Sequence, residues 1–390
     1  MLQIINSEKI PIKLWVENPE EGAIQQAKNL ANLPFAFHHI ALMPDTHQGY
    51  GMPIGAVLAT RNVIVPNAVG VDIGCGMCAV KTNIEANTLV REQLTAVMKN
   101  IRSAIPFGFK HHKKPQDESL MPQGYNVNEM IVVKREYSSA LKQLGTLGGG
   151  NHFIELQHDT DGFLWIMVHS GSRNIGAQVA DYYHKRAKIS NELHDPSFDP
   201  KKGLAYFSFD TKEAQLYYNE MRYCTDFALA NRRLMMQRIQ QIIASGHPNI
   251  LFDPMINIAH NYATWETHFG EHVMVHRKGA TSAKLGEQGI IPGSQGTKSY
   301  IVEGLGNPES FMSCSHGAGR VMSRTAAIRD LDLEEEKTKL DNLGIIHSIR
   351  RKTDLEEASS AYKCISKVME LQRDLVKIVT ELTPLAVVKG

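Results

Sequence analysis

Apolar residues recur along the chain in two periods. Short continuous runs at Phe37–Met43, Ile54–Ala59, Phe163–Val168, Ile256–Ala259 and Val273–Val275 predict buried strands. Segments Gly22–Leu33, Ala86–Ala104, Gly176–Ile189, Lys212–Ala244 and Glu357–Leu382 carry Leu, Ala, Lys, Glu and Gln at helical spacing and predict helices. Lys212–Ala244 is long enough to be two. Phe107–Gly124 and His194–Gly203 are rich in Pro, Gly, Lys and Asp and predict loops. No repeat or low-complexity tract interrupts this order. Polar and glycine-rich motifs extend from the first strands to the last residues, which favours one composite site. The expectation is a single α+β domain over residues 1–390.

Composition narrows the classes. A chain of 390 residues with 43% hydrophobic content can bury a large core. Lys and Arg total 42 against 41 Asp and Glu, a net charge of +1, so any nucleic-acid binding must come from a local patch and not from a global field. The opening MLQIINSEKI has no basic segment followed by an apolar stretch, and no run approaches the roughly 18 apolar residues of a membrane span. A cytoplasmic protein with no membrane partner is expected. Five scattered cysteines, at 75, 78, 224, 314 and 364, argue against a disulfide framework and for reduced thiols.

Several motifs carry chemistry. Met43-Pro-Asp-Thr-His-Gln-Gly-Tyr-Gly follows a strand-like run and offers Asp45 among glycines that let backbone approach a ligand. In Gly70-Val-Asp-Ile-Gly-Cys-Gly-Met-Cys78, Asp72 and Cys75 can converge. Cys75 and Cys78 form a CxxC, but no second Cys/His pair completes a zinc ribbon, and Cys-Ala-Val-Lys reads as strand where a redox motif needs a helix. Gly145-Thr-Leu-Gly-Gly-Gly-Asn-His-Phe-Ile-Glu155 is a glycine-rich loop entering a strand, with amides able to form an anion-binding nest; it lacks the GK[ST] of a P-loop.

His169 in Val168-His-Ser-Gly-Ser-Arg and His260 in Ile258-Ala-His-Asn-Tyr each leave a buried run. A single histidine there is ordinarily a hydrogen-bonded core residue. His152, His169 and His260 together with Asp72 and Cys75 make a mixed O/S/N donor set, richer than one tetrahedral zinc requires and suited to two ions sharing a thiolate. Such a pair of ions serves phosphoryl chemistry. In Cys314-Ser-His-Gly-Ala-Gly-Arg-Val-Met-Ser-Arg324, His316 is flanked by small residues and precedes an expected helix start, with Arg320 and Arg324 on one helix face, an arrangement favourable to phosphate.

The ordered motifs MPDTHQGYG, GVDIGCG, LGGGNHFIE, VHSGSR, AHNYA, HRKGA, IPGSQGTKSY and SHGAGRVMSR, with the terminal Val388-Lys-Gly390, resemble those of the RtcB family of RNA-splicing ligases over nearly the whole chain. The resemblance implies mixed and antiparallel sheets flanked by helices around a central metal cleft. It implies two Mn²⁺ ions held by Asp72, Cys75, His152, His169 and His260, with Cys75 bridging. His316 matches the histidine that is guanylylated, and Asp45 the carboxylate that orients its ring. The guanylate pocket carries over to Asn151, His152, Phe153, Ile154, Glu155, Asn261, Pro292, Gly293, Ser294, Gln295, Ser299, Gly317, Ala318, Gly319 and Lys389. Arg173, Arg320 and Arg324 match positions that hold RNA.

The activity so implied is GTP- and Mn²⁺-dependent joining of an RNA 3′-phosphate, or a 2′,3′-cyclic phosphate after opening, to a 5′-hydroxyl end. Its partners would be such RNA ends and an archaease-like activator. The donor set by itself would also suit a dinuclear phosphoesterase, or an RNA-end binder that has lost catalysis. His316 before Gly-Ala-Gly-Arg, together with Lys389, favours the ligase.

Overall fold

All five strands expected from apolar runs form in the computed structural model, which describes all 390 residues. Two large sheets carry the architecture, which is mixed α+β. The first has six strands in the order Gln3–Ile5, Ile12–Leu14, Ala36–Tyr50, Met52–Thr60, Glu271–Lys278 and Asn261–His268. One pair in it, Ile12–Leu14 with Ala36–Tyr50, is parallel. The second has seven, in the order Ile256–Ala259, Gly76–Glu85, Phe163–Ser170, Phe153–Asp159, Val376–Lys389, Ser299–Gly304 and Gln288–Ile291. Every neighbouring pair in this sheet is antiparallel.

The strands read as continuous apolar runs because both faces are covered. In Gly76–Glu85, Cys78 and Val80 join a core with Ile154, Ile166, Val168 and the helical residues Met235, Met236 and Ile239. Met77 and Ala79, one step along the pleat, turn to the opposite face with Met167, Ile290 and Ile301. The first sheet behaves alike: Ala41, Val57 and Val275 enter one cluster, and Ile40, Ala56 and Leu58 another.

The two sheets share a core, in which Ala41, Val57 and Val275 pack with Ile291, Tyr300 and Val302, and the chain also crosses from one to the other through a single residue. Strand Ile256–Ala259 belongs to the second sheet and Asn261–His268 to the first, so His260 is the step between them. The crossing is tied to the turn before Gly76–Glu85 by two backbone bonds, His260 N–H to Cys75 O (2.8 Å) and Gly74 N–H to Asn261 O (2.7 Å).

Lys212–Ala244 is one continuous helix of 33 residues, started by Thr211, whose hydroxyl accepts from Ala214 N–H. It supplies Arg232, fully buried beneath the strand ends. The guanidinium donates to Asn257 Oδ1 (2.7 Å), Gly74 O (3.0 Å) and Ser170 O (2.8 Å), joining three neighbouring segments at one point.

Glu21–Ala31, Arg91–Ala104 and Arg173–His194 match the other expected helices within a few residues. The expected helix Glu357–Leu382 does not exist as such. A short helix, Ile365–Leu371, is followed by the strand Val376–Lys389. Its β-branched residues pair on both sides with other strands, and Pro384, which has no N–H, sits at a register shift. The helix Val132–Gln143 was not anticipated.

Arg232→Ala leaves two buried carbonyls and the half-buried Asn257 Oδ1 without this donor and should destabilise the protein by about 3 kcal/mol or more. Arg232→Lys should recover only part, since an ammonium does not reproduce the guanidinium fork. Denaturant midpoints test this, and a loss below about 1 kcal/mol for the alanine variant would contradict it.

Candidate active site

Antiparallel order puts alternate strand ends on the same rim of the second sheet. Across it run the pairings Ala259 with Gly76, Gly76 with Ser170, His169 with Phe153, and Phe153 with Lys389. His260 follows the first strand, Cys75 precedes the second, His169 lies near the end of the third, His152 precedes the fourth, and Lys389 ends the fifth. Five residues far apart in sequence are thereby set side by side.

Their donor atoms converge in two overlapping triads, Asp72 with Cys75 and His152, and Cys75 with His169 and His260, the atoms of each within 4.8 Å of one another. Cys75 Sγ is 3.5 Å from His152 Nε2 and 3.3 Å from His169 Nε2. His152 Nε2 is 3.0 Å from Asp72 Oδ2, and His169 Nε2 is 3.4 Å from His260 Nε2. His152 and His169 use Nδ1 on the carbonyls of Leu147 (2.9 Å) and Asn151 (3.0 Å), which leaves Nε2 as the donor atom facing the cluster. This donor set suits a pair of divalent transition metals bridged by sulfur.

Beside it stands a histidine held by a buried acid. Asp45 Oδ2 accepts from His316 Nδ1 (2.7 Å), His316 N–H (3.0 Å) and Gly317 N–H (3.3 Å). The strand that carries Asp45 slips register between Leu42 and His47, and this bulge aims the carboxylate. Gly319, at φ +74°, lets the chain pass over it; a Cβ there would lie 2.3 Å from Asp45 O. The His316 and His260 rings meet edge to face with centroids 4.8 Å apart.

These groups border a cavity of about 930 Å³. Asp72, Cys75, Asn151, Phe153, Glu155, His169, His260, Asn261, Pro292, Gly293, Ser294, Gln295, His316, Gly317, Ala318, Gly319, Arg320, Arg324 and Lys389 line it. Asp45 and His152 sit just behind the wall through the contacts above. Ile154 does not face the cavity: pleat alternation turns its side chain into the core beneath the long helix. Ser299 supports the wall, accepting from Gly293 N–H (3.2 Å) and Gln157 Nε2 (3.2 Å). Arg173 lies outside as well, reaching Thr146 Oγ1 (3.3 Å) behind the glycine-rich loop.

Two local expectations need correction. Arg320 and Arg324 share no helix face, because Ser323 caps a helix that begins only at Arg324, so His316 has no helix N-terminus beside it. The arginines are brought together instead by Glu357, which is 3% exposed. Its carboxylate lies 3.4 Å from Arg320, 3.0 Å from Arg324 and 3.9 Å from Lys389, and accepts from Tyr362. The glycine-rich loop is also a poorer nest than expected. Asn231 Oδ1 takes the amides of Gly145 (2.7 Å) and Thr146 (3.1 Å), and Pro106 O takes that of Leu147 (3.0 Å).

Glu357, His47 and Lys278 were missed by sequence reasoning. His47 stood inside a motif already singled out, and Lys278 lies in HRKGA; both line the cavity. Glu357 had no local signal, since the three cations it gathers come from two segments more than thirty residues away, one on either side in sequence.

A family model described as tRNA-splicing ligase RtcB matches residues 26–390. The chain belongs to the RtcB family. It is 39% identical to the RNA-splicing ligase RtcB of Escherichia coli K12, covering 100% of this chain and 99% of that protein. It is 29% identical to the tRNA-splicing ligase RtcB of Thermococcus kodakarensis (95% and 92%) and 30% identical to that of Nanoarchaeum equitans (98% and 95%).

Electrostatics in this RtcB-family site follow from burial. Desolvation, together with neighbouring cations and rings, holds His169 and His260 well below the usual imidazole value, so both are neutral and able to bind metal. Burial and the nearby Asp72 push the Cys75 thiol well up. Burial also pushes Glu155 up to about 8, against the opposing pull of Gln157 and Lys389.

Because both triads use Cys75, Cys75→Ala should lose two metal ions and not one, whereas Cys78→Ala, which faces the opposite core, should keep both; metal content by mass spectrometry decides. Glu155 has a folded value above the unfolded 4.5, so the native state retains a proton that the unfolded chain has lost. Stability of the metal-free protein should therefore fall as pH rises from 4.5 to about 8. Glu155→Gln should flatten that decline in denaturation curves taken across the window, and an unchanged slope would count against the assignment.

Proposed function

We propose that the protein is a GTP- and Mn²⁺-dependent RNA ligase that joins an RNA 3′-phosphate, or a 2′,3′-cyclic phosphate once opened, to a 5′-hydroxyl end through a guanylyl-histidine. The observation that carries this reading is the His316–Asp45 pair at the edge of the two triads. With Nδ1 committed to a buried carboxylate, the ring keeps Nε2 as its free lone pair. A hydrolase using metal-bound water needs no such histidine.

His316 Nε2 attacks the α-phosphorus of GTP; an N–P bond forms, the bond to the β-phosphate oxygen breaks, and pyrophosphate leaves. The positive charge that develops on the imidazole is met by Asp45, whose carboxyl lies below its ordinary value because its contacts with His316 outweigh burial. An oxygen of the RNA 3′-phosphate then takes the guanylyl group from nitrogen, which frees His316 and leaves an activated RNA end. The 5′-hydroxyl of the second RNA attacks that end and GMP departs.

Asp72, Cys75 and His152 would hold one Mn²⁺ and Cys75, His169 and His260 the other, and such ions neutralise charge on phosphate oxygens. Lys389, whose Nζ lies 5.0 Å from the Phe153 ring centroid, stands with Glu155 at the part of the cavity suited to the guanine. Arg320 and Arg324 present cations to the RNA phosphate: set against the single carboxylate of Glu357, the three cations around it leave a local excess of positive charge.

Incubation with α-labelled GTP and Mn²⁺ should leave acid-labile label on the wild type and none on His316→Ala. ATP should not substitute. Asp45→Asn keeps a similar shape but loses the charge and the tautomer control, and should slow labelling by about 10³-fold. Absence of label with any divalent metal would sink the reading.

A further inference from the structure

Outside the cavity, the segment Phe107–Gln116 joins an aromatic side chain to a concentration of positive charge. Phe109 is fully exposed, so its ring adds nothing to the core. Lys110, His111, Lys113 and Lys114 are exposed beside it, and no Asp or Glu occurs between Phe107 and Gln116. None of these three lysines is paired with a carboxylate. On a chain with a net charge of only +1, this is a local field.

The loop is fixed to the wall of the active site. Gly108 N–H donates to Gly148 O (2.8 Å), Leu147 N–H donates to Pro106 O (3.0 Å), and Phe107 bridges to Gly148. The same short stretch of glycines faces the cavity from its other side. A Cβ on Gly150 would lie 3.0 Å from the Arg324 guanidinium, and Asn151 lines the cavity. One wall of a few residues thus separates Arg324 from the basic loop. At the base of the loop, Arg238 meets His112 (2.8 Å) and Gly145 O (3.1 Å) and has no carboxylate partner.

We propose that Phe107–Gln116 is a binding surface for single-stranded RNA running away from the end being joined, with Phe109 as a platform for a base and Lys110, Lys113 and Lys114 as phosphate contacts. An exposed aromatic set among lysines is the combination that holds single strands, since stacking tolerates any base and the cations follow the backbone. The choice of RNA as ligand rests on the ligase reading; the surface itself is read from the loop.

Fluorescence anisotropy with labelled 20-nucleotide RNAs, one ending in a 3′-phosphate and one beginning with a 5′-hydroxyl, tests this alongside self-guanylylation of the same preparations. Phe109→Ala should weaken binding of at least one RNA by roughly ten-fold. Lys110→Glu/Lys113→Glu/Lys114→Glu should weaken it further and reduce the slope of log affinity against log salt by about 2. The same charge change at Lys185, Arg186 and Lys188, on the helix Arg173–His194, should have a much smaller effect. Guanylylation should be unchanged in every variant.

If the wild type guanylylates and both loop variants bind and join long RNAs as it does, the surface is refuted and the ligase reading stands. If the wild type takes no label but the loop variants still lose RNA, the surface stands and the ligase reading falls. Loss in the control variant equal to that in the loop variant would also overturn the surface, because only net charge would then matter.

Discussion

The backbone hydrogen bonding of the second sheet is the constraint on which the site depends. Antiparallel neighbours bring the end of one strand beside the start of the next, so His260, Cys75, His169, His152 and Lys389 occupy one rim. A register slip of one residue would turn each strand's side chains to the opposite face. The apolar residues that oppose such a slip fill the cores on both sides of the sheet. Packing energy far from the cluster thereby holds the cluster's geometry.

Two buried charged groups complete that support from opposite sides. Arg232 ties the turn before Cys75 to the strand end after His169 and to the strand leading into His260. Glu357 gathers Arg320, Arg324 and Lys389 on the cavity side. Each is costly to desolvate, and each is retained where several chain segments must keep a common orientation. Asp45 does the same for one ring, through three hydrogen bonds to a single carboxylate oxygen.

The arrangement separates functions in space. The two donor triads and His316 lie toward the junction of the sheets, Lys389 lies farther along the rim, and Arg320 and Arg324 gather with Lys389 around Glu357. The glycine-rich loop forms the partition between this cavity and the exposed basic segment. Gly148 takes a left-handed φ of +94° that favours glycine, and the terminal Gly390 packs against it so closely that a Cβ on Gly390 would come within 1.9 Å of Gly148 O.

Many of the residues that the structure gathers at the site were legible from the sequence, because donor atoms are properties of residue types. Asp72, Cys75, three histidines, Asp45 and His316 could be named without coordinates, and the strands from their apolar runs. What the sequence did not determine was how the five donors divide into two triads. Cys75 is common to both triads only because two strand ends and one turn meet at its sulfur. Ile154 sits in a motif yet faces the core, since pleating and not proximity in sequence sets direction. Glu357 lies in a stretch that reads as helix, and its role exists only where three distant cations converge. The tail from Val376 became a strand because open strand edges on both sides offered hydrogen bonds that outweighed local helical preference. Local chemistry is written in the chain; register, facing and convergence arise from contacts between residues hundreds of positions apart, and only the tertiary structure decides them.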